Sequence, residues 1–344
     1  MDTRIPVTIL GATGIVGQRL VARLASHPWF QIAYLAASPR SQGQEFGQAC
    51  QWRVPNCEPF GGLSSKKLVA CDPSASFAPL VFSALDALPA KEIEPLYAAA
   101  GALICSNASA ARMDADVPLL IPEVNPGDLD LLPKQRQGRG TRGAIVCNPN
   151  CTTAGLALAL APLAARGLEQ VFMVSMQAAS GAGYPGVPAL DVMGNVIPYI
   201  AGEEEKVEAE TVKILASRGA SPKVSAHCNR VGVVDGHSAS VSVRLLQPLS
   251  PADLCAMLEG FRALPQELEL PSAPRQPIFV HTASDRPQPR LDLEREQGMA
   301  VHVGRVRACA LLGTKFQILS HNLERGAAGA AVLNAELLRA TGLL

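Results

Sequence analysis

Cys151 is the residue whose setting most suggests chemistry. In Asn148-Pro-Asn-Cys-Thr-Thr-Ala-Gly155 it directly precedes the apolar, helix-like run 156–163, which puts the thiol at or near a helix N-terminus. Free N–H groups and the dipole at such an end favour negative charge. The expectation is therefore a thiolate-prone nucleophile, with helix-end donors ready for a tetrahedral oxyanion. A thiol nucleophile needs a partner for its proton. Among six histidines, His237 in Val234-Asp-Gly-His-Ser238 stands out: Gly236 offers a bend, and Val241 and Val243 continue as a strand, so the ring is held at a strand mouth. Cysteine–histidine pairing is spatial, so spacing alone leaves a structural histidine and a base equally open.

A second pattern concerns a nucleotide. Gly11-Ala-Thr-Gly-Ile-Val-Gly17 places glycines at i, i+3 and i+6 between a predicted strand (6–10) and a predicted helix (18–26). Glycine allows a tight turn and close approach to a pyrophosphate, whose charge meets free N–H groups and the helix end. Gly11, Thr13, Gly14, Ile15, Val16 and Gly17 are accordingly candidate cofactor-binding residues. After the second predicted strand (32–37), a free ribose hydroxyl would call for Asp or Glu, but the chain reads Ala36-Ala-Ser-Pro-Arg-Ser-Gln-Gly43. Ser38, Arg40 and Ser41 can donate to a 2′-phosphate instead, which points to NADP over NAD. A solvated loop with one surface arginine is the plainer alternative.

The elements that must carry these residues follow from the periodicity. Strands at 80–84 and 102–106, with a helix at 90–100, continue the alternation and imply a parallel sheet covered by helices. The polar, glycine-rich stretch 127–143 marks the end of a first domain, 1–147. Beyond it, strands at 170–178 and 238–246 and helices at 203–217 and 251–264 describe an α+β domain, 148–321. The segment 322–344 reads as a helix that returns to the first domain. The expected fold class is α/β: a Rossmann-type dinucleotide-binding domain followed by an α+β catalytic and dimerisation domain.

Composition narrows the partners. With 48% hydrophobic and 17% charged residues, 30 basic against 30 acidic, and 4% aromatic, the chain has no polyanion-binding character, which argues against nucleic acid. The longest apolar stretch, 156–165, is broken by Pro162 and falls short of the roughly 20 residues a membrane span needs. Asp2 and Arg4 do not suit a signal peptide, so a cytoplasmic protein is expected. The nine cysteines include no C-x-x-C pair, which speaks against a metal site or a disulfide framework. Apart from Cys151 they read as reduced thiols, mostly small core residues.

The blocks GATGIVGQR, ASPRSQG, SNASAARMDADVPLLIPEVN, NPNCTTAGL, MQAASGAGYPGVPALDVMGNVIPYIAGEEEKVEAE, CNRVGVVDGH, DRPQPRLD, GMAVHVGRVR and SHNLERGAAGAAVLNAELL run nearly end to end. In type and order they resemble the aspartate-semialdehyde dehydrogenase family, in the branch common to archaea and fungi. The resemblance implies Cys151 as nucleophile, His237 as acid/base, Asn150 in the oxyanion region and Gln177 orienting the acyl group. It implies Arg230 for the substrate α-carboxylate, where a planar fork binds in bidentate fashion. Glu203 would meet the ammonium, and Lys206 and Arg112 the phosphate; alone, Glu-Glu-Glu-Lys would be an ordinary solvated helix face. Ser180, Gly181, Gly183 and Asn322 fall where the family approaches the nicotinamide. The implied reaction is NADPH-dependent reductive dephosphorylation of β-aspartyl phosphate to aspartate semialdehyde through a Cys151 thioester, by a homodimer or homotetramer. A malonyl-coenzyme A reductase and a non-catalytic nucleotide-binding paralogue are the rivals. Two departures, Leu323-Glu324 after Ser-His-Asn and Gly232 in place of a common proline, touch no proposed catalytic group.

Overall fold

The computed structural model describes residues 4–344. Its first sheet has six parallel strands: β1 (Ile5–Leu10), β2 (Phe30–Ala37), β3 (Val69–Ala70), β4 (Leu80–Ser83), β5 (Leu103–Ser106) and β6 (Ala144–Cys147). Their order is β3-β2-β1-β4-β5-β6. Every residue of β4, β5 and β6 is buried, as expected of a parallel sheet covered on both faces, and this explains their continuous apolar runs. The order reverses between β1 and β4, and the crevice at the strands' carboxyl ends there is the general ligand position of doubly wound sheets.

The second sheet is mixed. It comprises β7 (Leu168–Gln177), β8 (Val196–Ile197), β9 (Lys223–Val231), β10 (His237–Leu245), β11 (Ile278–His281), β12 (Val301–Cys309) and β13 (Gly313–Ser320), ordered β11-β12-β13-β10-β7-β9-β8. Burial along β10 alternates with period two, so one face of the sheet is covered and the other is more open. The covered face meets the helices Cys151–Leu160 and Glu203–Ala216. In the first of these every residue after Cys151 is buried, so the helix sits inside and holds the half-buried cysteine at its N-terminal end. Gly155 permits that placement, because a Cβ there would lie 2.3 Å from Ser320 Oγ on β13.

Several sequence-based boundaries shift. The glycine turn gives way to helix at Ile15, and the helix is Ile15–Leu24. The polar stretch before residue 144 folds mainly as a helix, Leu131–Arg139, that feeds β6, a strand the sequence reading did not register. The helix expected over 251–264 ends at Glu259, because the chain turns at Gly260. The C-terminal helix covers Ala328–Ala340, with residues 322–327 forming turns before it. It packs on the helix Ile15–Leu24 and on β4 and β5. The cysteines are less uniformly internal than their type suggests: Cys105, Cys147 and Cys228 are buried, Cys57 is exposed, and Cys50, Cys71, Cys255 and Cys309 are half-buried.

Candidate active site

Cys151 is the first residue of its helix, and Asn150 caps it: the Asn150 Oδ1 accepts the N–H groups of Thr152 at 2.9 Å and Thr153 at 3.3 Å. The cap satisfies two of the helix's unpaired donors, so they are occupied in this arrangement. The Asn150 backbone N–H donates to Glu210 Oε2 at 2.5 Å and its Nδ2 to Glu203 Oε1 at 2.7 Å. Asn150 therefore shapes the cysteine turn, and the helix-end amides of Thr152 and Thr153 are not free to serve an oxyanion.

His237 opens β10 and lies with its Nε2 3.2 Å from the Cys151 Sγ. The two sit 86 residues apart in the chain and meet because β10 runs beside β13, on which the cysteine's helix packs. The His237 Nδ1 accepts the Ala178 N–H at 3.1 Å. Asn322, buried, supports the approach to this residue by accepting the Gly236 N–H at 2.8 Å and donating to Ser180 Oγ at 2.9 Å. Gly181 belongs to the same cluster, since a Cβ there would stand 2.7 Å from Arg230 Nη1 and 2.9 Å from His237 Cε1. Gly183, at φ +74, has open space around it.

Electrostatics overturn one expectation. Burial pushes the Cys151 thiol up to about 12, the Glu203 carboxylate adds to the rise, and Arg112, Arg230 and the Thr152 N–H only partly offset it. Loss of hydration here outweighs the helix end, whose effect is confined to the first turn. Burial, followed by the Arg230 and His321 charges, brings His237 down to about 3. The resting pair is a neutral thiol and a neutral imidazole.

The cationic groups converge on the same place. Arg112 donates to Glu210 Oε1 at 3.1 Å and to the Asn107 carbonyl at 2.7 Å, while its buried Nε has no acceptor within the protein. Arg230, on β9, donates to the Ala178 carbonyl at 2.7 Å and pairs in register with Gln177 at the end of β7. Gln177 is buried and donates to Ser175 Oγ at 3.3 Å. Lys206, part-exposed, has its Nζ 4.0 Å from Glu203 Oε2. Glu210 is the residue the sequence reading missed. It binds Arg112 with one oxygen and the Asn150 N–H with the other, and its position seven residues after Glu203 on one helix was the available signal.

The glycine turn lies at the carboxyl end of β1. Gly11 has φ +73, and its absent Cβ would sit 2.6 Å from the Ala84 carbonyl oxygen; a Cβ on Gly17 would sit 2.2 Å from that of Gly11. Gly14 is the N-cap of the helix, Thr13 precedes it in the turn, and Ile15 and Val16 are the first helical residues. Past β2, Ser38 and Arg40 are exposed and Ser41 is half-buried. These residues make no hydrogen bond to the cysteine cluster among those described. The link runs instead through Arg19, whose Nη2 donates to Asp235 at 3.3 Å and whose Nη1 donates to Glu324 at 2.7 Å. Glu324 is one of the two departures noted in the sequence. It is joined through Arg19 to the loop two residues before His237, and so reaches the site's framework after all.

One further cluster, His281, Asp292 and His302, brings three metal-capable atoms within 4.8 Å of one another. Arg286 already holds both Asp292 oxygens, and His281 Nε2 lies 3.0 Å from His302 Nδ1, while the buried His302 Nε2 has no hydrogen-bond partner among the described residues.

Known proteins share this arrangement of sequence and fold. Residues 6–132 match the family model described as semialdehyde dehydrogenase, NAD binding domain, and residues 160–325 match semialdehyde dehydrogenase, dimerisation domain. The chain is 48% identical to an aspartate-semialdehyde dehydrogenase of Archaeoglobus fulgidus, over 97% of this chain and 98% of the relative. It is 45% identical to that of Schizosaccharomyces pombe, over 98% and 99%. The crystal structure of the Candida albicans enzyme with NADP superposes with a TM-score of 0.89 at 38% identity, covering 99% of this chain and 100% of that one. Aspartate semialdehyde dehydrogenase II of Vibrio cholerae, complexed with ASA, gives 0.78 at 26% identity, with 98% of both chains covered. By matches of this extent the chain belongs to the aspartate-semialdehyde dehydrogenase family.

Proposed function

We propose that the protein catalyses the NADPH-dependent reductive dephosphorylation of β-aspartyl phosphate to aspartate semialdehyde, a step of amino-acid biosynthesis, with Cys151 as nucleophile. The observation that carries this reading is the 3.2 Å approach of His237 Nε2 to the Cys151 Sγ at the end of a buried helix, with the Glu203, Arg112 and Arg230 charges acting on the thiol and Lys206 4.0 Å from Glu203. Cys151 attacks the acyl carbon and displaces phosphate, leaving a thioester. Arg112 and Lys206 bind the phosphate; the unpartnered Arg112 Nε is a donor suited to it. Arg230 takes the α-carboxylate and Glu203 the ammonium, while Gln177 orients the acyl group and Asn150 holds the cysteine turn. Thioester formation explains why a thiol and a nicotinamide serve one reaction.

The residues at the glycine turn fit the cofactor: Gly11 and Gly17 leave the space that side chains would fill, and no carboxylate follows β2 to repel a 2′-phosphate. Gly11, Thr13, Gly14, Ile15, Val16 and Gly17 would hold the pyrophosphate, Ser38, Arg40 and Ser41 the 2′-phosphate, and Ser180, Gly181, Gly183 and Asn322 the nicotinamide side. When bound, NADPH supplies the hydride that reduces the acyl carbon.

The same reading divides the chain at residue 147 and again near 322. It places the protein in the cytoplasm, in keeping with nine free cysteines and, among the described residues, no helix long and apolar enough to cross a membrane. It also makes the protein a homodimer or homotetramer, supported by the open face of the second sheet and by the dimerisation module it matches. The deciding assay is phosphate-dependent reduction of NADP by aspartate semialdehyde, run beside malonyl-coenzyme A with NADPH. Activity with the first alone, lost in Cys151→Ala while NADP still binds, is the expected result; activity with malonyl-coenzyme A alone, or full activity in the variant, overturns it.

A further inference from the structure

The helix Glu203–Ala216 carries a row of charged side chains at Glu203, Lys206, Glu210 and Lys213, whose spacing stacks them along one stripe. Glu203 and Glu210 reach Asn150, and Glu210 also reaches Arg112. Lys213, in the last turn, has no part in the chemistry described so far. Its Nζ donates to three backbone carbonyls, those of Arg112 at 2.7 Å, Asp114 at 2.8 Å and Val117 at 3.1 Å. An ammonium has three N–H donors, so all of them are spent on the backbone.

Those carbonyls belong to the irregular loop that follows β5 and carries Arg112. The loop is a series of turns: the Arg112 N–H donates to the Ser109 carbonyl, that of Asp114 to Ala111, and that of Val117 to Asp114. Short turns of this kind form no ladder, so contacts from other elements must fix the loop's path. Two of them are charged. Arg139 binds the Asp114 and Asp116 carboxylates near the surface, where an ion pair contributes little. Lys213 holds the backbone itself, and its removal would take a charged donor from three carbonyls at once.

The Arg112 guanidinium is anchored at both ends, by Glu210 and by the Asn107 carbonyl, and its buried Nε has no acceptor within the protein. The direction of that free donor therefore follows from the course of the backbone at Arg112, whose carbonyl Lys213 holds. We propose that Lys213 is a positioning residue for phosphate: it fixes the Arg112 loop so that the guanidinium meets the anion. The proposal rests on the reading of Arg112 as a phosphate ligand. With its donors occupied by carbonyls, Lys213 acts on phosphate through Arg112 and not by contact.

Calorimetric titration of inorganic phosphate into the NADP-bound protein tests this. Lys213→Met keeps an unbranched side chain without the ammonium, and it should weaken phosphate binding by about tenfold or more, the scale of losing a hydrogen bond to a charged group. NADP affinity should not change. Arg139→Ala, which removes only the surface pairs, should alter phosphate binding by less than about threefold. In an Arg112→Ala background, adding Lys213→Met should change it by less than about twofold, because two residues that act in series are not additive. Unchanged phosphate affinity in Lys213→Met, or the same loss with and without Arg112, overturns the proposal. If that variant does not fold, Lys213→Gln replaces it, and unchanged affinity there overturns the proposal equally. If the unaltered protein binds no phosphate, or binds it as well without Arg112, the reading of Arg112 fails and takes the proposal with it. If phosphate binding needs Arg112 but not Lys213, that reading stands and the proposal alone fails.

Discussion

At the scale of single residues, the contest at Cys151 is between a helix end and burial. The sequence showed the first and pointed to a lowered thiol pKa; the folded chain adds desolvation and the Glu203 charge, which win. A thiol held up to about 12 stays far below half-ionised near neutrality, so its thiolate fraction grows about tenfold per pH unit. Alkylation of the ligand-free protein by iodoacetamide should therefore rise by nearly that factor per unit from pH 7 to 9; a plateau below pH 8 would contradict the burial argument. Arg40 is the opposite case, an exposed side chain whose role depends on a single charge. If it pairs with the 2′-phosphate, Arg40→Ala should weaken NADP binding by about tenfold or more and leave NAD nearly unchanged. That difference should shrink as salt screens an exposed pair. Dissociation constants for both cofactors at two ionic strengths decide it, and equal losses would mean Arg40 only shapes the loop.

At the scale of elements, the glycine turn joins strand and helix through a contact no other residue type can make. A Cβ at Gly17 would lie 2.2 Å from the Gly11 carbonyl oxygen and 2.7 Å from the Ala12 Cα, both backbone atoms that cannot swing aside. Gly17→Ala should push the helix off the turn at a cost of about 1–3 kcal/mol, the range for overpacking, and displace the N–H groups that meet the pyrophosphate. Thermal unfolding and NADP titration together check this, and unchanged values in both would remove the turn from the cofactor site. The turn was legible because its glycines are adjacent in sequence and bounded by a strand and a helix. The two-residue β3 and the four-residue β6 were not read: one is too short to show a period, and the other is flanked by a polar stretch that resembles a domain edge.

At the scale of the whole molecule, the second sheet keeps one face without a covering layer of helices. Phe172 on β7 is 40% exposed there, and beside it a groove of about 410 Å³ is lined by Val224, Ser242, Cys309 and Leu311. This groove lies on the sheet face turned away from Cys151, where the proposed homo-oligomer would cover it. A second copy covering that face accounts for an exposed aromatic side chain on a central strand. Phe172→Glu should then shift the solution mass toward the monomer by placing a charge in an apolar contact, as sedimentation or light scattering would show. An unchanged mass would locate the interface elsewhere. The same scale explains Glu324, which looked like a peripheral departure in sequence. In the fold it meets Arg19 and Arg23 from the first helix, and Arg19 also reaches Asp235 beside His237, so a change at the cofactor turn is physically linked to the catalytic loop.

The sequence by itself determined the alternation of strands and helices in the first half, the glycine turn, the cysteine at a helix end and the family resemblance, because each is written in neighbouring residues. Tertiary structure alone decided the rest. His237 meets Cys151, and Glu210 joins Arg112 to the Asn150 N–H, only because the Cys151 and Glu203 helices pack against one sheet face. The expected shift of the Cys151 thiol reversed for the same reason. A thiol's pKa depends on what has been taken out of water around it and on which charges face it, and neither is a property of the residues next in the chain.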